Sequence, residues 1–182
     1  MNRLGFLALG LVALAACEST LTTSPDDLQS EQAAASDALT ALEPDVVVDI
    51  DVRPNSIGLT LNVRARGVVA VAILGQEGLV FEDIDFTSVR FGDPNDELFP
   101  DQVAQPIHDL TGEDALEDHI RDVDGDQFPD LVLHFVPAAT QLDAGYRPAC
   151  VVGTMKATPD VADPPSFAGC AVVRVIVAGR IR

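Results

Sequence analysis

Residues 46–53 read Val-Val-Val-Asp-Ile-Asp-Val-Arg. Val46, Val48, Ile50 and Val52 fall on one side of a period-two pattern, and Val47, Asp49, Asp51 and Arg53 fall on the other. Successive side chains of a strand point to opposite faces, so this stretch predicts a strand with one face buried. Pro54-Asn55-Ser56 then gives a turn signal. The alternation resumes with Ile57, Leu59, Leu61 and Val63 set against Gly58, Thr60, Asn62 and Arg64. After Gly67, residues 68–74 (VVAVAIL) are apolar on both sides, which predicts a central strand buried on both faces.

Further along the chain, residues 87–91 form a short strand pattern closed by Gly92-Asp93-Pro94. Residues 131–136 form another, stopped by Pro137, and residues 150–157 and 171–178 supply the last two. No long amphipathic helix interrupts the series. About seven short strands separated by turn signals predict an all-β fold, an antiparallel β-sandwich of immunoglobulin-like kind.

The charge of this domain is local. Between Phe81 and Asp130 there are 16 acidic residues and two basic ones, Arg90 and Arg121. Within that segment Asp122, Asp124, Asp126 and Asp130 occupy the first, third, fifth and ninth places of Asp-Val-Asp-Gly-Asp-Gln-Phe-Pro-Asp. Carboxylates so spaced in a tight loop converge on one point, and the seventh residue, Phe128, would add its backbone carbonyl. Hard oxygen donors of this kind suit Ca²⁺. Without a cation the carboxylates repel one another. The loop departs from an EF-hand: Gln127 stands where the sharp turn favours glycine, and Leu133 stands where a bidentate Glu would close the shell. It is more similar to the strand-flanking calcium loops of FG-GAP and thrombospondin type 3 modules. Asp118 or water would supply a missing ligand.

His119 and His134 flank the loop, and His108 stands beside Asp109. No HExxH or Cys/His spacing is present, so each is expected to make structural hydrogen bonds.

The order PNSIGLTLNVRARGVVAVAILG, SVRFG, HIRDVDGDQFPDLVLHF and FAGC followed by AVVRV resembles a recurrent family of secreted bacterial β-domains. The resemblance covers residues 46–178 and implies a β-domain with a calcium-type loop. It implies no activity, because that family has none settled. The family pattern has a glycine at the sixth loop position, where this chain has Gln127.

The N-terminus predicts an address. Arg3 precedes an apolar run from Leu4 to Ala16, shorter than the roughly 20 residues needed to span a bilayer. This is the pattern of a secretory signal peptide, residues 1–16. Leu14-Ala15-Ala16-Cys17 resembles the lipobox of bacterial lipoproteins, which implies lipidation at Cys17 and a membrane anchor. Glu18 in place of Asp favours the outer membrane, by analogy with enterobacterial sorting. Residues 17–44 are Ser/Thr/Asp/Ala-rich without an aromatic side chain, which predicts a flexible, disordered tether ahead of a domain at residues 45–182. Within it, Leu28 to Leu42 has the composition of a transient helix. In an oxidising envelope the two remaining cysteines, Cys150 and Cys170, are expected to form a disulfide.

The 182-residue chain has 11 Lys+Arg, 29 Asp+Glu and a net charge of −18. That balance excludes nucleic-acid binding through phosphate contacts. With no Trp and one Tyr, a stacking platform for bases is also excluded. No GxSxG and no glycine-rich phosphate loop is present. The expectation is a non-catalytic envelope protein with a structural Ca²⁺ loop that binds or displays a protein or glycan partner. Two alternatives stand beside it: an envelope hydrolase or accessory subunit using the acidic segment, and a structural lipoprotein without metal.

Overall fold

The computed structural model describes residues 25–56, 58–110, 116–159, 161 and 163–179. The signal peptide, Cys17 and Ile57 lie outside the described residues. Among the described residues are one α-helix, α1 (Pro25–Leu42), and nine strands. The strands are β1 (Val46–Val47), β2 (Ile50–Val52), β3 (Thr60–Asn62), β4 (Val69–Ile73) and β5 (Arg90–Gly92). They continue with β6 (Ile120–Arg121), β7 (Asp130–Phe135), β8 (Gly145–Thr154) and β9 (Ser166–Ile176). The fold is therefore β-rich, as the alternation requires, with nine strands rather than about seven.

The strands form two sheets. One runs β1-β9-β8-β5, with β3 also paired to β9, and the other runs β2-β4-β7-β6. β4 lies between β2 and β7, and Val69, Val71, Ala72 and Ile73 are all buried, as its doubly apolar sequence demands. One apolar cluster draws on both sheets. Phe91 of β5 meets Phe135 of β7 with ring centroids 5.2 Å apart, linking the two.

The extra strands have identifiable origins. The run at 46–53 is not one strand. β1 joins the first sheet beside β9, and β2 joins the second beside β4. The residues between are held from both sides: Val48 donates its N–H to Ala168 O at 2.9 Å, and Leu74 N–H donates to Asp49 O at 2.9 Å. Val48 and Val52 are buried, so the alternation correctly marks the inward face. Gly169 permits the crossing, because a Cβ there would stand 2.3 Å from Val48 O. β6 is the other addition, two residues paired with the start of β7. Pairing is also not wholly antiparallel: β1 and β3 both run parallel to β9.

The segment expected to be a disordered tether is partly ordered. Residues 25–42 form α1, which packs against β8 and β9. Pro25 opens it, where its missing N–H costs nothing. Ala38 is buried and Ala34 and Leu42 are half-buried, at the four-residue spacing that keeps side chains on one helix face. The helix ends where Glu43 takes φ 46° and Pro44 follows. Asp45 then latches the chain to β9, its carboxylate accepting from Ser166 N–H at 2.8 Å and Ser166 Oγ–H at 2.9 Å. These bonds, the backbone one foremost, hold the Asp45 carboxyl below its ordinary value.

Cys150 and Cys170 face each other across β8 and β9 and are disulfide-bonded. Among the described residues no helix is long and apolar enough to cross a membrane.

Candidate metal centres

β7 organises both clusters of possible ligands. Its Leu131, Leu133 and Phe135 belong to the core, so Asp130, Val132 and His134 point to the other face of the sheet. The acidic loop leads into one end of this row.

Asp130 is fully buried, and two backbone amides hold its carboxylate. Gly75 N–H donates to Oδ1 at 2.8 Å, and Val123 N–H donates to Oδ2 at 2.6 Å. Gly75 follows β4 immediately beneath the loop. A Cβ on it would lie 2.2 Å from Pro129 O, so only glycine lets the loop seat there. Asp122 gathers the other end of the loop, accepting from Gly125 N–H at 2.6 Å and Gln127 N–H at 3.1 Å. Asp124 Oδ1 accepts from Asp126 N–H at 3.1 Å, and Asp126 Oδ1 accepts from Phe128 N–H at 2.8 Å. Gln127 takes φ 77°, in the left-handed region that favours glycine.

Asp122, Asp124 and Asp130 each place a carboxylate oxygen within 4.8 Å of the others. Oxygens on opposite sides of a calcium ion lie up to about 5 Å apart, so this triplet fits such an ion. The existing amide bonds leave each oxygen a free lone pair. Asp126, expected as a fourth ligand, is outside the triplet and accepts from Phe128 N–H. Phe128, expected to lend its backbone carbonyl, is exposed.

A further carboxylate, on the first alternating run, lies on the same face of the sheet. Asp51 pairs with Ala72, and Ala72 with Val132, which puts Asp51 on the same sheet face as Asp130. Burial first, then the charges of Asp124 and Asp130, raise the Asp51 carboxyl above its ordinary value. In the sequence Asp51 is indistinguishable from any residue on the polar side of a half-buried strand. Only the β2-β4-β7 register brings it to the loop.

The histidines form the second cluster. β6 pairs with the first half of β7, through Ile120 with Leu131 and Arg121 with Asp130. The second half is met by another segment, with Pro106 opposite Phe135 and Ile107 N–H bonded to His134 O at 2.9 Å. His108 and His119 therefore arrive from opposite directions at the same part of the β7 edge, next to His134. The ring centroids are 4.9 Å apart for His108 and His119, 5.4 Å for His108 and His134, and 6.0 Å for His119 and His134. His108 Nδ1 and His119 Nε2 are 3.2 Å apart. His119 Nδ1 lies 2.9 Å from Val132 O. A carbonyl only accepts, so Nδ1 carries a proton, and Nε2 is the nitrogen that faces His108. Burial, with the nearby charges of His108, His119 and Arg121, holds His134 below its ordinary value. The sequence showed three separate histidines. Strand register makes them one group.

Comparison with protein-family models, with curated proteins and with solved structures finds no match to this chain.

Proposed function

We propose that this chain is a lipid-anchored protein of the bacterial cell envelope. Its immunoglobulin-like β-sandwich binds or displays a protein or glycan partner without catalysis, and its acidic loop holds a structural Ca²⁺. The address rests on the sequence: the short apolar run to Ala16, Cys17 as the lipidation site, Glu18 favouring the outer membrane, and a disulfide that suits an oxidising compartment.

The calcium reading is carried by one observation, the Asp122, Asp124 and Asp130 oxygens within 4.8 Å of one another on a buried anchor. Asp51 adds a fourth carboxylate whose ionisation those charges oppose, and a divalent cation would relieve that opposition. The ion would tie the loop to the β4 and β7 strands. Its role would be to stiffen a surface.

Calcium titration of the chelator-treated mature chain tests this. A ligand at one hundred times its Kd adds about 2.7 kcal/mol to unfolding. Ca²⁺ should raise the unfolding temperature reversibly, and Asp124→Ala should abolish the rise. No shift with Ca²⁺ refutes the metal. Pull-down with and without Ca²⁺ then identifies the partner.

A further inference from the structure

We propose that His108, His119 and His134 form a second metal site, selective for a zinc-class divalent ion over calcium. It does not depend on the calcium reading. One nitrogen of each ring lies within 4.8 Å of the other two. Tetrahedral zinc with Zn–N bonds of about 2.0–2.1 Å sets its ligand nitrogens about 3.3 Å apart. The His108–His119 pair already stands at 3.2 Å. The other two pairs lie within 4.8 Å, so closing on an ion takes small shifts of the His134 ring and of the exposed His108 ring.

Two further features separate this cluster from histidines that merely hydrogen-bond. The first is the bond from His119 Nδ1–H to the Val132 carbonyl, at 2.9 Å. It fixes the tautomer and aims the Nε2 lone pair at the cluster, the outer-shell arrangement metal-bound histidines use. The second is His134 Nδ1, which is buried and has no hydrogen-bond partner among the described residues. A buried ring nitrogen without a partner is unfavourable, and an ion bound through that nitrogen would satisfy it.

The donor set decides the class of ion. Three imidazoles suit zinc and its neighbours in the transition series, whereas calcium takes oxygen. Three histidines also leave the fourth position of a tetrahedral ion open, and His108 is exposed beside a hollow lined by Phe86, Pro106 and Leu110. Asp130 and His134 are four residues apart on one strand, about 13 Å, so two ions would fit without sharing ligands. A bound ion would also clip together the ends of the acidic segment between His108 and His119.

The test is calorimetric titration of ZnCl₂ into the chelator-stripped full chain at saturating Ca²⁺. One equivalent should bind, and His108→Ala and His119→Ala should each weaken it at least tenfold, while Asp124→Ala leaves it unchanged. His108 is exposed, so its variant should keep the fold, checked by unchanged unfolding without metal. Co²⁺ in place of zinc should give the visible ligand-field absorption of a nitrogen-ligated ion, lost in the same variants. Absence of saturable zinc binding overturns the proposal. So does binding that survives both histidine variants and falls with Asp124→Ala, which would put the zinc on carboxylates.

Discussion

Replacing Asp130 with alanine in the metal-free protein isolates what this residue does before any ion binds. Its carboxylate accepts from Gly75 N–H at 2.8 Å and Val123 N–H at 2.6 Å, and the residue is fully buried. The substitution strips both amides of their partner. An unsatisfied buried donor costs about 1–3 kcal/mol, so the pair sets a range of about 2–6 kcal/mol. Both amides are only partly buried, and water will recover some of that loss. Removing one negative charge beside Asp51 returns a little more, because Asp130 is among the charges that raise the Asp51 carboxyl. We expect a net loss of about 3 kcal/mol, a large share of the 5–15 kcal/mol of an ordinary domain. Urea unfolding in chelator reads it as a lower midpoint with an unchanged slope. Asp130→Asn keeps one acceptor oxygen and should lose about half as much. A carboxyl titration followed by NMR should show Asp51 moving down toward its ordinary value in Asp130→Ala. A loss under about 1 kcal/mol in chelator would refute the reasoning, since it would mean that the amides do not need the carboxylate.

Other perturbations follow from the same geometry. Gly75→Ala drives a Cβ against Pro129 O and should cost about 1–3 kcal/mol, measured by thermal unfolding. Replacing Cys150 and Cys170 with serine opens a loop of sequence separation 20 and should cost about 3 kcal/mol in the chain-entropy model, read by denaturant midpoint. Ser166→Ala should raise the Asp45 carboxyl partway to its ordinary value, since the backbone N–H of residue 166 still donates; NMR titration measures it. Because Asp45 is lowered in the fold, its contribution to stability is present above pH 3.8 and is lost as the pH falls through the folded value.

The inward face of the first alternating run was legible, while the pairing between strands was not. Val48 and Val52 are buried where a period of two puts them, and Val69 to Ile73 form the central strand their composition predicts. Alternation says which side of a strand is wet and nothing about its neighbour. The passage of residues 46–52 from one sheet to the other therefore left no mark except Gly169, distant in sequence. The same gap hid Asp51 and the histidines. His108, His119 and His134 lie far apart in the chain, and only the two segments meeting along β7 bring them together. The grouping of Asp122, Asp124 and Asp130 was recognisable because their spacing is local, while Asp126, in the same spacing, lies outside the triplet and accepts from Phe128 N–H, a difference that spacing alone does not show. Helix α1 was read as spacer because alanine offers little apolar surface. Against β8 and β9 small size is what allows close approach.

Under the anchoring proposed at Cys17, docking of that helix would change how far the domain can stand from a membrane. With anchoring at Cys17, a spacer running to Pro44 would have given the domain about 95 Å of reach at full extension, near 3.5 Å per residue. With residues 25–42 folded onto β8 and β9, only eight steps separate Cys17 from Pro25. Those span at most about 28 Å. The protein would then sit as a close-fitting coat on the bilayer rather than as a bead on a long leash, and partners able to engage it would have to come near the lipid surface themselves.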